Sequence, residues 1–141
     1  MSLINLNHAV LRRVAETKTA TEFDHTATWK AALDESIAAL GPDMIGVTCM
    51  FTMTHTSLRQ VVAYAAARGG VPVAIGGVHV SNDVERILDD IPEARFAFLR
   101  EADQAFPAFV DVVERRAGAE KLAQVIFNGG PGEDGKVTRL R

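Results

Sequence analysis

The residues best equipped for chemistry fall in three short stretches: Thr48–Thr56, Gly76–Ser81 and Arg100–Gln104. The first lies within "GVTCMFTMTHTS", where Thr48, Thr52, Thr54 and Thr56 supply hydroxyls that donate or accept hydrogen bonds. Threonines this close to a helix start also serve as caps. In the second, "GGVHVS", Gly76 and Gly77 remove side chains where the backbone turns tightly or another group comes close, and His79 and Ser81 follow. The third, "READQ", offers Glu101 as a ligand-binding carboxylate or as a solvated or capping one. Cys49 is the one cysteine of the chain. As a nucleophile it needs an adjacent base, for which His55 and His79 are the candidates; a half-buried structural thiol is the simpler role. His8, His25, His55 and His79 lack the spacing of metal ligands, so no metal site is expected.

Alternating strand and helix patterns position these stretches. Ser2–Asn7 and Thr19–Asp24 alternate like short strands, with a short helix at His8–Glu16 between them. Thr28–Leu40 is a helix with Trp29, Leu33, Ile37 and Leu40 on one face, stopped by Gly41-Pro42. Asp43–Cys49 has the length and apolarity of a strand buried on both faces of a parallel sheet. Ser57–Arg68 is the next helix, and Ser57 and Gln60 have capping-box spacing. Val71–Ile75 is a strand, Asn82–Asp90 a helix with a second capping box at Asn82 and Glu85, Arg95–Leu99 a strand and Asp103–Arg116 a helix. Gln124–Asn128 and Lys136–Leu140 flank a glycine-rich turn, which predicts a hairpin or an extended exit linker.

The expected fold is therefore α/β. It is a doubly wound, Rossmann-like or flavodoxin-like sheet, mostly parallel, of about five strands with helices on both faces. Residues 1–118 form that domain and residues 119–141 the hairpin or linker. In such sheets ligands bind beyond the carboxyl ends of the strands, where the three stretches fall.

The chain has 141 residues, 48% of them hydrophobic and 23% charged, enough for one soluble core. A net charge of −3 gives no attraction for nucleic acid or an acidic membrane. No apolar run approaches the roughly 20 residues of a membrane span. A single cysteine fits a reducing, cytoplasmic setting. Gly130, Gly132 and Gly135 have G-x-G-x-x-G spacing but fall in the glycine-rich turn rather than between a strand and a helix, and G-x-x-x-x-G-K-[ST] does not occur, so a dinucleotide or nucleoside triphosphate is not indicated.

The stretch "DMIGVTCMFTMTHTSLRQVVAYAAARGGVPVAIGGVHVSNDVERIL" resembles a cobalamin-binding domain. The nearest kind is the domain preceding the catalytic barrel of cobalamin-dependent radical S-adenosylmethionine enzymes. Pro42, Asp43, Gly46 and Thr48 match the third-strand pattern, and Gly76, Gly77, His79 and Ser81 the next strand end. "FLREADQAF" matches in part, with Arg100, Glu101, Ala102 and Asp103 where glycines and glutamates alternate. "SLINLN" resembles the family's first strand and "VIFNGGPGEDGKVTRLR" the hairpin leading into the barrel.

The resemblance implies that the cofactor's nucleotide tail descends beside Thr48, Gly76 and Gly77. It places Met50, Phe51, Thr52 and His79 towards the corrin, and Ser81 and Glu101 are further candidates for cofactor binding. The cobalt-ligating D-x-H-x-x-G is absent: around His8, Leu6 and Leu11 stand for Asp and Gly. Cobalamin is thus expected without a histidine ligand from this chain. Radical chemistry needs a 4Fe-4S cluster held by C-x-x-x-C-x-x-C together with S-adenosylmethionine, and Cys49 alone cannot supply that motif. The chain is not catalytic alone under this resemblance. Its partner is a carboxyl-terminal radical barrel, and the charged end at Arg139–Arg141 suggests a domain cut from a longer enzyme. A cofactor-less interaction module and a stand-alone corrinoid carrier are the alternatives, and a free sheet edge makes a homodimer conceivable.

Overall fold

The computed structural model describes residues 2–17, 23–114, 116, 122, 124–128 and the strand at 138–139. The chain divides into two compact units, Met1–Pro42 and Asp43–Arg141.

The first unit is a pair of helices, α1 (Leu6–Glu16) and α2 (His25–Leu40). Each begins at a side-chain cap, because the first turn of a helix leaves its N–H groups unpaired. Asn5 Oδ1 accepts from His8 N at 3.0 Å, and Asp24 Oδ1 accepts from Ala27 N at 2.9 Å. These caps correct the expected first strand. Asn5 starts a helix inside "SLINLN", so Ser2–Asn7 is not a strand. Of the second expected strand, residues 19–22 lie outside the described residues, and Phe23 and Asp24 are irregular. In α2 Trp29 and Leu33 are buried as the stripe predicts, whereas Leu40 is exposed. Gly41 closes the helix at φ 51°, a left-handed conformation that costs glycine little.

The second unit holds a five-stranded sheet in the order β1 (Ile45–Thr48), β2 (Val73–Gly76), β3 (Ala94–Phe98), β4 (Val125–Phe127) and β5 (Thr138–Arg139). The first three are parallel, joined by helical crossovers: α3 (His55–Gly69), then α4 (Val78–Asn82) and α5 (Val84–Asp90). After α6 (Ala105–Val113), β4 and β5 pair antiparallel. The carboxyl-terminal hairpin therefore extends the sheet rather than leaving it, and the fold is an open α/β sheet with helices packed on it.

Alternation along the strands separates two faces. Ala74 and Phe98 join Ala105, Phe109, Leu122 and Val125 in one cluster, with Phe96 and Phe127 against it. Phe109 meets Phe96 and Phe98 edge-on, with centroids 4.9 and 5.3 Å apart. Val73, Ile75 and Ala97 point the other way and are also buried. Helix α3 adjoins β1 and β2, α4 adjoins β2 and β3, and α5 adjoins β3.

Three details differ from expectation. β1 is half-buried and forms one end of the sheet, rather than being enclosed on both faces. α3 starts at His55, ahead of Ser57, so the Ser57–Gln60 box lies inside the helix. The expected Asn82–Asp90 helix begins at Val84 instead, because Asp83 is non-helical at φ −151° and ψ 57°; no side chain caps α5, so the Asn82–Glu85 box does not form, and the short helix α4 precedes it unforeseen.

Candidate functional site at the carboxyl edge of the sheet

In the register, Thr48 pairs with Gly76 and Gly76 with Phe98, so three parallel strands end level. The loops that follow carry the candidate residues. Cys49 N donates to Gly76 O at 2.9 Å, and His79 N donates to Cys49 O at 3.2 Å. These bonds sew the β1 exit to the β2 exit. Gly77 sits at the seam with φ 103°, and a β-carbon there would collide with the Cys49 carbonyl and with Thr48 Oγ1. A β-carbon on Gly76 would lie 3.4 Å from Phe98 O. The open room that sequence reasoning assigned to the glycine pair is taken, in this chain, by the chain's own backbone.

Ser81 extends the same seam to the third strand. Its Oγ donates to Gly77 O at 3.1 Å and accepts from Arg100 N at 2.7 Å. Arg100 holds φ 59°, the one described non-glycine residue in the left-handed region. Glu101 lies beyond it, exposed. Thr48, Gly76, Gly77 and Ser81 are thus brought together, while Glu101 stays outside this network of the described residues.

The β1–α3 loop is stiffened from within. Thr54 Oγ1 donates to Phe51 O at 2.7 Å, and the buried Cys49 Sγ lies 3.1 Å from Thr54 Oγ1 and 3.4 Å from Phe51 O. Cys49 is therefore a structural thiol with no imidazole bonded to it, as the simpler role predicted. This knot turns the large side chains outward: Phe51 is 66% exposed, Met53 89% and Met50 54%. Thr52 is exposed in the short 3-10 turn Thr52–Thr54.

His79 and His55 do come together, though not around the cysteine. His55 Nδ1 stands 3.0 Å from His79 Nε2, and His55 Nε2 is 2.6 Å from Asp90 Oδ2. Arg59 supports the same carboxylate at 3.7 Å. The hydrogen bond from His55, assisted by the charges of Arg59, His55 and Arg86, holds the Asp90 carboxyl below its ordinary value against a smaller opposing effect of burial. Burial foremost, then His55, holds the His79 imidazole below its ordinary value, while Asp83 pulls it up. The pair borders an open cleft of about 580 Å³ lined also by Thr52, Asp83, Arg86 and Asp89.

Sequence reasoning named both histidines but missed Asp90 and the cleft. His55 and Asp90 lie 35 residues apart, and no local spacing announces a contact made by tertiary packing. His8 lies exposed in α1 and His25 exposed at the start of α2. Among the described residues no group of three or more metal-ligating side chains gathers, and no helix is long and apolar enough to cross a membrane.

An open α/β sheet whose parallel strands end in hydroxyl- and glycine-bearing loops belongs to the class that binds ligands at the carboxyl edge. Residues 5–110 match the B12 binding domain family, and the chain belongs to that family. The fold is shared with the radical S-adenosylmethionine methyltransferase TsrM from Kitasatospora setae. The structure with cobalamin and a 4Fe-4S cluster bound superposes with a TM-score of 0.67 at 17% identity. The structure with the tryptophan substrate and aza-SAM bound gives 0.65 at 19%. Each likeness covers 79% of this chain but only 22% and 21% of TsrM, so the chain spans about a fifth of that enzyme's length. No curated protein matches.

Proposed function

We propose that the chain is the cobalamin-holding domain of a radical S-adenosylmethionine enzyme, with the reaction performed by a barrel outside this sequence. Membership of the B12-binding family supports the cofactor. The fold shared with one domain-sized part of TsrM supports the longer parent, which would also need a 4Fe-4S cluster and S-adenosylmethionine. Residues 119–141 then carry the chain towards that barrel.

The observation that carries the reading is the pairing of a polar strand edge with an apolar projecting loop. Met50, Phe51 and Met53 present uncompensated apolar surface directly after Thr48. A corrin ring is large and flat, with an apolar face and an amide rim, so it fits such a loop, and the hydroxyls of Thr48 and Thr52 fit the rim. Cobalamin, when bound, would supply methyl transfer or radical chemistry. This chain's residues would position it and keep water from one face. Gly76 and Gly77 act by permitting the seam of the β1 and β2 exits on which Thr48 and the loop are mounted. His79, Ser81 and Glu101 are assigned to the same edge.

One observation favours a cofactor-less interaction module instead: the glycine step is already filled by Cys49 and Thr48, leaving less depth for a nucleotide tail. The two are separated by loading with hydroxocobalamin, desalting and recording the visible spectrum. The wild type retains corrinoid; Thr48→Leu and Phe51→Asp, both at exposed positions, retain several-fold less while keeping the wild-type circular dichroism. Equal retention by all three would remove the site from this edge.

A further inference from the structure

The cleft beside the histidine pair has a feature independent of cobalamin. A carboxylate only accepts hydrogen bonds, so the 2.6 Å contact puts the hydrogen of His55 on Nε2. Neutral His55 then has a lone pair on Nδ1, and the 3.0 Å contact is filled by Nε2–H of His79. Each ring fixes the tautomer of the next, as a carboxylate fixes its histidine in a catalytic triad. The last atom of this chain is Nδ1 of His79. It has no hydrogen-bond partner among the described residues, although the side chain is 94% removed from solvent (6% exposed) and lines the cleft. Among the described residues no buried side-chain N or O lacks a partner, so this nitrogen stays reachable from the cleft rather than sealed in the core.

The groups around it set what it can receive. Asp83, Asp89 and Asp90 oppose Arg86 on the walls, and Arg59 reaches the far oxygen of Asp90. With neutral histidines the walls carry two more negative than positive charges, which repels carboxylates and phosphates. Asp83, between α4 and α5, is the carboxylate whose charge acts on His79, opposing the effect of His55.

We propose that Asp90, His55 and His79 form a directional relay that presents Nδ1 of His79 as the hydrogen-bond acceptor of a binding site in this cleft, for a ligand that brings an ammonium or hydroxyl group. His79 is the contacting residue; His55 and Asp90 position it and fix its tautomer. The site stands on the geometry of α3, α4 and α5 alone and survives a failure of the cobalamin reading.

The test is a long-range proton–nitrogen NMR correlation on the 15N-labelled full chain, comparing wild type with Asp90→Asn. In wild type above neutral pH, His79 should show an unprotonated Nδ1 and a protonated Nε2. In Asp90→Asn the amide can donate to His55, which inverts both rings and moves the His79 hydrogen to Nδ1. Asp90 is exposed, so the variant should fold, and the amide fingerprint checks this. A protonated Nδ1 on His79 in wild type would overturn the relay. Titration with ethylammonium chloride and with sodium acetate then tests the ligand class. Shifts of the His79 ring with ethylammonium alone are expected; shifts with acetate, or silence with both, would overturn it.

Discussion

At the residue scale, Gly77 is the least replaceable position described. Two independent facts exclude a side chain there: φ 103°, and the Cys49 carbonyl and Thr48 hydroxyl in the place a β-carbon would take. Gly77→Ala should lower unfolding free energy by about 2–4 kcal/mol, combining backbone strain with displacement of a strand exit. Gly70→Ala, at φ 60° with open space around it, should cost about 1 kcal/mol. Urea denaturation of both variants checks the contrast, and similar costs would refute the seam. The glycine pair itself was legible in the sequence, but its beneficiary was not. A Gly-Gly motif reports that something comes close, and only the register revealed that the neighbour is the chain's own β1 exit.

His79 gives a prediction about pH at the same scale. In the folded chain it lies below its ordinary value of 6.5, so the unfolded chain binds a proton that the folded chain refuses. Stability therefore rises with pH through the window just below 6.5 and falls as pH drops through it. His79→Gln should flatten that part of the profile, measured by thermal unfolding from pH 7.5 to 5. A steeper slope in the variant would contradict the assignment. Asp90 acts lower: with its folded value depressed from 3.8, its contribution is present above that pH and lost in stronger acid.

At the element scale, helices and parallel strands were readable because their apolar periods are long. The ends of the same elements were not, since boundaries rest on single caps and turns. Asn5 turned an alternating "SLINLN" into the entry of α1, and Asp83 moved the start of the expected Asn82–Asp90 helix to Val84 behind an unforeseen short helix, α4. The aromatic cluster under α6 is the clearest test of packing at this scale. Phe109 is buried between Phe96 and Phe98, whereas Val113, one turn on, is 61% exposed. Phe109→Ala should cost about 3–5 kcal/mol, and Val113→Ala within about 0.5 kcal/mol. Equal effects, read by denaturant midpoints, would show that α6 is not docked through this face.

At the scale of the whole molecule, the sheet edge explains why chemistry-bearing residues in separate stretches between Thr48 and Gln104 belong together. Parallel strands joined by crossovers bring every β-to-α loop to one edge, so Thr48, Gly76 and Ser81 become neighbours by topology rather than by spacing. That much follows from the alternating pattern. The histidine cleft does not, because it depends on where α5 lies against α3. The apolar loop at Met50–Met53 remains the largest exposed apolar run beside that edge, and covering it is what the proposed cofactor would do.

The most direct measurement is equilibrium dialysis of the purified chain against hydroxocobalamin, with bound corrinoid quantified by absorbance. The account predicts saturable binding approaching one cofactor per chain, weakened several-fold by Phe51→Asp. A chain that is folded by circular dichroism yet binds none at saturating cofactor would contradict it.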